Sequence, residues 1–288
     1  MDVLPLTAAI GAEITGVDLH RPLSDRERTA VHDALMRHLV VFFRGQDLSE
    51  DEQLAFAANF GPPVSASVDR SPSADPLMFV SLEDTAESPP KADRWHTDVP
   101  FVATPPDIAV LNMRDTPDVG GDTLWASLYA VYEGLSTPMQ DLLAGLELDL
   151  DLGASRATIL ELYGEDYFRR VVEPFTGARH PLVRIHPVTG RPALYLCGSF
   201  MRGIAGMTDA ESRSVLGFLQ SRLDDPNLQC RWRWAQYDVA VWDERCTNHR
   251  AVSDHYPNHR LSRRCLAGEG VPIAASTPGA TPIGAPLA

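Results

Sequence analysis

From residue 95 to about residue 270 the chain divides into strand-length runs: WHTDVPF, DIAVLNMR, DTLWASL, PLVRIHPVTGRPALYL, CRWRWAQYDVAVWD and RLSRRCLAGEG. β-Branched and aromatic residues dominate them, which suits a pleated and largely buried surface. No regular strand–helix alternation joins the runs, so the pattern argues against a parallel βαβ sheet. The expected fold is mainly β with inserted helices: an antiparallel sandwich or jelly roll.

The helices announce themselves by their caps. Ser24 with Glu27, and Ser49 with Glu52, have capping-box spacing. Val31, Ala34, Leu35 and Leu39 then fall on one helical face. LVVFF (39–43) reads as a short buried strand, residues 129–145 and roughly 155–175 as helical or irregular, and Thr208 with Glu211 caps a helix to about Leu223. Val188-Thr189-Gly190-Arg191 marks a hairpin turn. Residues 61–93 are rich in Pro, Ser, Asp and Ala, and read as a loop-rich lid near a site. One domain is expected over 1–270, followed by a Pro/Ala/Gly-rich tail, 271–288.

A formal charge of −14 over 288 residues disfavours nucleic acid and anionic membranes as partners, because both need a basic face. Cys197, Cys230, Cys246 and Cys265 form no CxxC pair and read as free thiols of a cytoplasmic protein. No apolar run reaches the length of a membrane span, and the first residues lack the basic start of a signal peptide.

His96 and Asp98 stand two apart, so on a strand they would share a face. An imidazole and a carboxylate can hold two adjacent positions on a divalent metal, and a third ligand must come from elsewhere. Taken alone, an HxD triplet is equally a surface pair or a hydrogen-bonded core histidine. His249, His255 and His259 compete for the third place in VWDERCTNHRAVSDHYPNHRLSRR.

WHTDVPF, GGDTLW (120–125), WDERCTNHRA (242–251) and HRLSRR (259–264), in this order, resemble the TauD/TfdA family. The resemblance extends from GAEITGVDL (11–19) and VVFFRGQ (40–46) to the arginine strand. It implies an Fe(II)- and 2-oxoglutarate-dependent dioxygenase that uses O₂, with His96, Asp98 and His249 as ligands. It also implies Arg260 and Thr123 on the distal carboxylate of 2-oxoglutarate. A guanidinium suits that task through its bidentate fork and permanent charge. The resemblance leaves His255 and His259 as loop or surface histidines. Retention of Asp98 argues against a halogenating relative.

Arg264 lies four residues beyond Arg260, on the same face of a strand, with Arg263 turned outward. The matching family arginine binds the substrate's anionic head. Where taurine-acting members have polar contacts, this chain has Ala92, Ala66 and Asp69, which makes taurine an unsuitable substrate. Val68 and Phe200, with Met78, Phe79, Val80, Leu82, Phe101, Met201 and Met207, are candidates for an apolar substrate wall. HPLVRIHPVTGRPALY followed by GMTDAES resembles the aryloxyalkanoate members, and alkyl-sulfate members share much of it.

The expected reaction is hydroxylation, with or without subsequent cleavage, of a small anionic organic substrate such as an aryloxyalkanoate or an alkyl sulfate or sulfonate. An amino-acid-derived or other carboxylate substrate of specialised metabolism is the alternative. The resemblance also implies a homodimer or homotetramer. The metal-binding residues by themselves leave open a zinc hydrolase, and the sandwich a cupin-like binding module without chemistry.

Overall fold

The computed structural model describes residues 1–69 and 76–276. Residues 70–75 of the expected lid and 277–288 of the expected tail lie outside the described residues. The strands are β1 (Asp2–Pro5), β2 (Ala12–Thr15), β3 (Val40–Phe43), β4 (Pro63–Val64), β5 (Val80–Asp84), β6 (Pro106–Asp115), β7 (Thr123–Ser127) and β8 (Glu147–Leu150). There follow β9 (Ala178–Pro181), β10 (Val183–Ile185), β11 (Pro192–Leu194), β12 (Met201–Ile204), β13 (Gln229–Trp232), β14 (Val239–Asp243), β15 (Thr247–Ala251), β16 (Arg260–Glu269) and β17 (Ile273–Ala274). The helices are α1 (Asp25–His38), α2 (Glu50–Ala57), α3 (Leu128–Glu133), α4 (Thr137–Leu143), α5 (Ser155–Tyr167) and α6 (Asp209–Ser221).

The architecture is mainly β with inserted helices. A large sheet runs β1-β2-β3-β14-β6-β16, and both β4 and β5 pair with β16. β2 and β3 are parallel; the other neighbours are antiparallel. A second sheet runs β13-β7-β15, and two further three-stranded sheets are β12-β8-β9 and β11-β10-β17.

The central strands of the large sheet are covered on both faces, which explains their unbroken apolar runs. Along β3, Val40 and Phe42 enter one core cluster, while Val41 and Phe43 enter another with Leu35 of α1 and Phe56 of α2. Alternation along the strand thus splits VVFF between two cores. In the first cluster Phe42 stacks on Trp232 at 4.1 Å and meets Trp125 edge-on at 5.1 Å.

All three capping boxes form with both reciprocal bonds, at Ser24/Glu27, Ser49/Glu52 and Thr208/Glu211. They fix α1, α2 and α6 where the spacing predicts them. The hairpin at 188–191 joins β10 to β11. The four cysteines are free and buried.

Three expectations change. WHTDVPF is not a strand: His96 forms one isolated bridge to His249, and Val99 takes a positive φ of 47°. The segment crosses between layers, and the Asp98 N–H donates to a side chain, Glu244, rather than to a neighbouring strand. Within 61–93, residues 80–84 form β5, paired with β16 from Arg260↔Asp84 to Arg264↔Val80. That strand is legible only through its long-range partner, because VSLED is short and ends in two acids. At the other end Ile273–Ala274 pairs with β10, so ordered chain continues past residue 270.

Phe43 is buried and meets Phe56 edge-on at 5.7 Å, away from the site described below. Phe43→Ala should cost about 3–5 kcal/mol of unfolding free energy, read from the midpoint of urea denaturation.

Candidate metal centre and anion pocket

His249 sits on β15 of the second sheet, and the backbones of His96 and His249 exchange two hydrogen bonds of 3.0 Å each. This doubly bonded pair sets the rings side by side, 4.2 Å between centroids and tilted 48° to one another. Asp98 closes the group: Oδ1 is 3.8 Å from His96 Nε2, and Oδ2 is 3.8 Å from His249 Nε2. One donor atom from each residue lies within 4.8 Å of the others. The His96 Nδ1–H donates to Arg94 O at 2.7 Å, which leaves Nε2 as the lone-pair nitrogen facing Asp98.

The surroundings suit a cation. Asp98 Oδ2 is buried and accepts no hydrogen bond from the described residues, a costly state for a carboxylate oxygen unless a positive charge completes it. Two imidazole nitrogens and one carboxylate make the donor set of a facial triad. Burial opposes ionisation of Asp98, but the Arg264 guanidinium, with the two imidazoles beside the carboxyl, outweighs it and holds the group below its usual range. Burial, with the neighbouring His96, pushes His249 well below the usual imidazole range, so it is neutral and able to ligate.

Several contacts hold the triad, and the motif pattern singles out none of them. Glu244 Oε2 accepts from the Asp98 N–H at 3.1 Å, and its Oε1 accepts from Trp242 Nε1 at 2.6 Å. Burial and the nearby Asp98 charge raise the Glu244 carboxyl well above its ordinary value. Asp224 accepts from Trp95 Nε1 at 2.9 Å and lies 3.7 Å from Arg250 Nη1, which latches together the neighbours of His96 and His249. Asn248 Nδ2 donates to Thr97 Oγ1 at 2.7 Å beneath the same pair. In sequence Glu244 and Asn248 occupy the variable positions of the WDxRxTxH pattern. Their only signal is a polar residue in a segment that is otherwise core.

The triad opens on a cavity of about 450 Å³ between the large sheet and the β13-β7-β15 sheet. His96, His249, Thr123, Arg260, Arg264 and Ala92 all line it. Arg260 and Arg264 share the inner face of β16, 3% and 8% exposed, while Arg263 turns away to Gln53 and the Leu48 carbonyl. The strand register expected from the sequence is therefore observed. Arg260 Nε donates to Gly121 O at 3.0 Å and Nη2 to Thr123 Oγ1 at 3.4 Å; Thr123 Oγ1 also accepts from Trp234 Nε1 at 2.9 Å. Arg264 Nη1 donates to Asp98 Oδ1 at 2.5 Å, and its Nε is buried with no hydrogen-bond partner among the described residues.

The remaining candidates separate. Ala92 lines the cavity and is pinned there by the Ala251 N–H on its carbonyl, 2.8 Å. Val80 and Leu82 line it as well. Val68 and Phe200 do not: they pack on the large core, and Phe200 meets Phe101 at 5.1 Å. His259 is exposed between Glu83 and Asp115, as a surface histidine should be. His255 is the exception, at 1% exposure, because the turn carrying it folds inward against Asp84.

Another hollow, about 1020 Å³ between the first strand and α1, is lined by Arg21, Arg26, Arg37 and Glu27 and brings no converging ligand set together. A second buried group, His186, Asp243 and Cys246, also has metal-like spacing. Its donors are already used. His186 Nδ1 accepts from the N–H groups of Val188 and Thr189, and its Nε2–H donates to Asp243 at 2.9 Å. Arg245 grips the same carboxylate through Nε and Nη2 at 2.9 and 2.7 Å. Burial opposes ionisation of Asp243, yet Arg245 and His186 hold the carboxyl far below its usual range.

The family profile described as taurine catabolism dioxygenase TauD, TfdA family, matches residues 2–266. An alkylsulfatase of Acinetobacter baylyi is 37% identical over 92% of this chain and 84% of its own length. An alpha-ketoglutarate-dependent sulfate ester dioxygenase of Pseudomonas putida is 37% identical over 95% of this chain and 91% of its own. The crystal structure of AAD-2 in complex with Mn(II) and N-oxalylglycine superposes with a TM-score of 0.79 at 26% identity, covering 95% of this chain and 99% of that one.

Two outcomes are expected. Gly198 has φ +58°, and a Cβ there would collide with the Trp95 carbonyl oxygen and stand 3.2 Å from His96 Cβ. Gly198→Ala should therefore weaken divalent-metal binding by roughly 10–100-fold, measured by titration of the metal-free protein. A carboxyl depressed in the folded state stabilises above its unfolded value of about 3.9, and that contribution is lost as pH falls. Arg245→Leu raises the folded value of Asp243, so the acid-unfolding midpoint should move to higher pH, followed by circular dichroism.

Proposed function

The chain belongs to the TauD/TfdA family and is an Fe(II)- and 2-oxoglutarate-dependent dioxygenase, and from that premise we propose that it oxidises an alkyl sulfate ester at the carbon bearing the sulfate. His96, Asp98 and His249 hold the iron, Arg260 and Thr123 take the distal carboxylate of 2-oxoglutarate, and Arg264 takes the sulfate. The observation that carries the reading is one strand face with two buried guanidiniums, Arg260 and Arg264, opening into the cavity of the His–Asp–His group. Two separate anions, co-substrate and substrate, account for two such cations.

The iron, with 2-oxoglutarate and O₂, supplies an oxidant able to hydroxylate an unactivated C–H bond. The protein's share is placement. Arg264 is paired with Asp98 through Nη1, so an anion taken by the same guanidinium is brought beside the carboxylate ligand. That leaves the adjacent carbon facing the triad. Val80 and Leu82 give an aliphatic chain an apolar wall. Ala92 offers no polar side chain where taurine-acting members have a polar substrate contact, which favours a hydrocarbon tail. Hydroxylation at the sulfate-bearing carbon gives a hemiacetal-like ester, which releases inorganic sulfate and leaves an aldehyde, while 2-oxoglutarate becomes succinate and CO₂.

The layered sheets are read as a double-stranded β-helix, and the buried free thiols support a reducing, cytoplasmic setting.

A succinate-release screen over linear alkyl sulfates, alkyl sulfonates, aryloxyalkanoates and N-substituted amino acids tests the proposal. Alkyl sulfates should give stoichiometric succinate, sulfate and aldehyde; release driven only by another class would overturn it. Arg264→Ala should raise the KM for the sulfate ester by roughly 10–100-fold with little change in that for 2-oxoglutarate, and Arg260→Ala should do the reverse.

A further inference from the structure

His255 has no role in the proposed reaction, yet its side chain is completely buried beside Arg260. The turn at Gly120-Gly121 makes this possible. Both glycines have positive φ; a Cβ on Gly121 would stand 3.1 Å from Arg260 Cδ and 3.4 Å from His255 Cγ, and one on Gly120 would stand 2.9 Å from the His255 nitrogen. His255 and Arg260 therefore pack side by side against one bare stretch of backbone.

Both ring nitrogens of His255 face oxygens. Nδ1 is 3.3 Å from Val252 O and Nε2 is 3.2 Å from Asp84 Oδ2; the second contact is close but not aligned as a hydrogen bond. The same Asp84 oxygen lies 3.8 Å from Arg260 Nη1, beyond hydrogen-bond reach. Arg260 uses Nε on Gly121 and Nη2 on Thr123, and Nη1 makes no hydrogen bond among the described residues. Asp84 is held opposite Arg260 by the β5–β16 register, so its carboxylate is a resident competitor for the guanidinium. The turn carrying His255 grips the same segment again, where Tyr256 Oη donates to Ala86 O at 2.9 Å.

We infer that His255 is a positioning residue for co-substrate binding: it draws the Asp84 carboxylate aside and keeps the Arg260 guanidinium available to the distal carboxylate of 2-oxoglutarate. The inference rests on the assignment of Arg260 as the co-substrate clamp. Without the imidazole, the cation beside Asp84 among the described residues is Arg260, and pairing with it closes the anion site. The rearrangement needs less than an ångström beyond a contact already at 3.8 Å.

The test uses full-length protein loaded with Mn(II) and the 2-oxoglutarate analogue N-oxalylglycine, with binding read by calorimetry. His255→Leu, which keeps bulk and removes both ring nitrogens, should weaken binding by roughly tenfold. Asp84→Asn should bind at least as tightly as the parent. The double variant should return to within about threefold of Asp84→Asn alone, because the competitor is gone. His255→Gln, which keeps a donor, should recover part of the loss.

Unchanged affinity in His255→Leu overturns the inference. A loss that Asp84→Asn fails to rescue also overturns it, because it reports a merely structural histidine. If His255→Leu does not fold, the comparison of His255→Gln with and without Asp84→Asn decides by the same signs. Arg260→Leu separates the two layers of the argument: retained binding there sinks the clamp assignment itself.

Discussion

A carboxylate almost wholly withdrawn from water must be compensated on every side, and Asp98 is the point where this protein meets that demand. Arg264 reaches it from the large sheet, His96 and His249 from the crossing segment and the second sheet, and Glu244 holds its backbone N–H from β14's end. Each partner arrives on a different element, so the layers can assemble in few ways that leave this charge satisfied. One oxygen, Oδ2, has no hydrogen-bond donor among the described residues, and that deficiency suits the position to a cation.

The same logic of shared charges extends along β16. Its inner face carries Arg260 and Arg264, each against a carboxylate, Asp84 at 3.8 Å and Asp98 at 2.5 Å. One strand thus aligns two buried guanidiniums at a spacing fixed by the pleat, about 13 Å of chain for four residues. On the proposed assignment, backbone geometry keeps co-substrate and substrate apart, and each guanidinium is oriented before either ligand arrives. Preorganisation of this kind lowers the cost of binding because little side-chain freedom is left to lose.

Much of this was legible from residues alone. Capping boxes placed three helices because their signal is local and chemical. The alternation Arg260, Ser262, Arg264 against Leu261 and Arg263 gave the face of β16, because strand periodicity survives any tertiary context. Sequence reasoning failed where contacts are long-range. WHTDVPF has the composition of a strand, yet a positive φ at Val99 and a side-chain acceptor for Asp98 turn it into a crossing segment. VSLED lacks the signal of a strand and becomes one by pairing with β16. Phe200 and Val68 are apolar like any cavity wall, and only packing assigns them to the core.

By itself, then, the sequence determined the donor set: which imidazoles, carboxylate and guanidiniums exist, and which of them share a strand face. Those properties depend on residue type and on a period of two, both carried locally. Tertiary structure decided which of these groups meet. It joined His96 to His249 through paired backbone hydrogen bonds, set Glu244 beneath Asp98, and buried His255 against Asp84. The last of these overturned a surface reading, because burial is a property of how two distant segments close on each other and no local pattern encodes it.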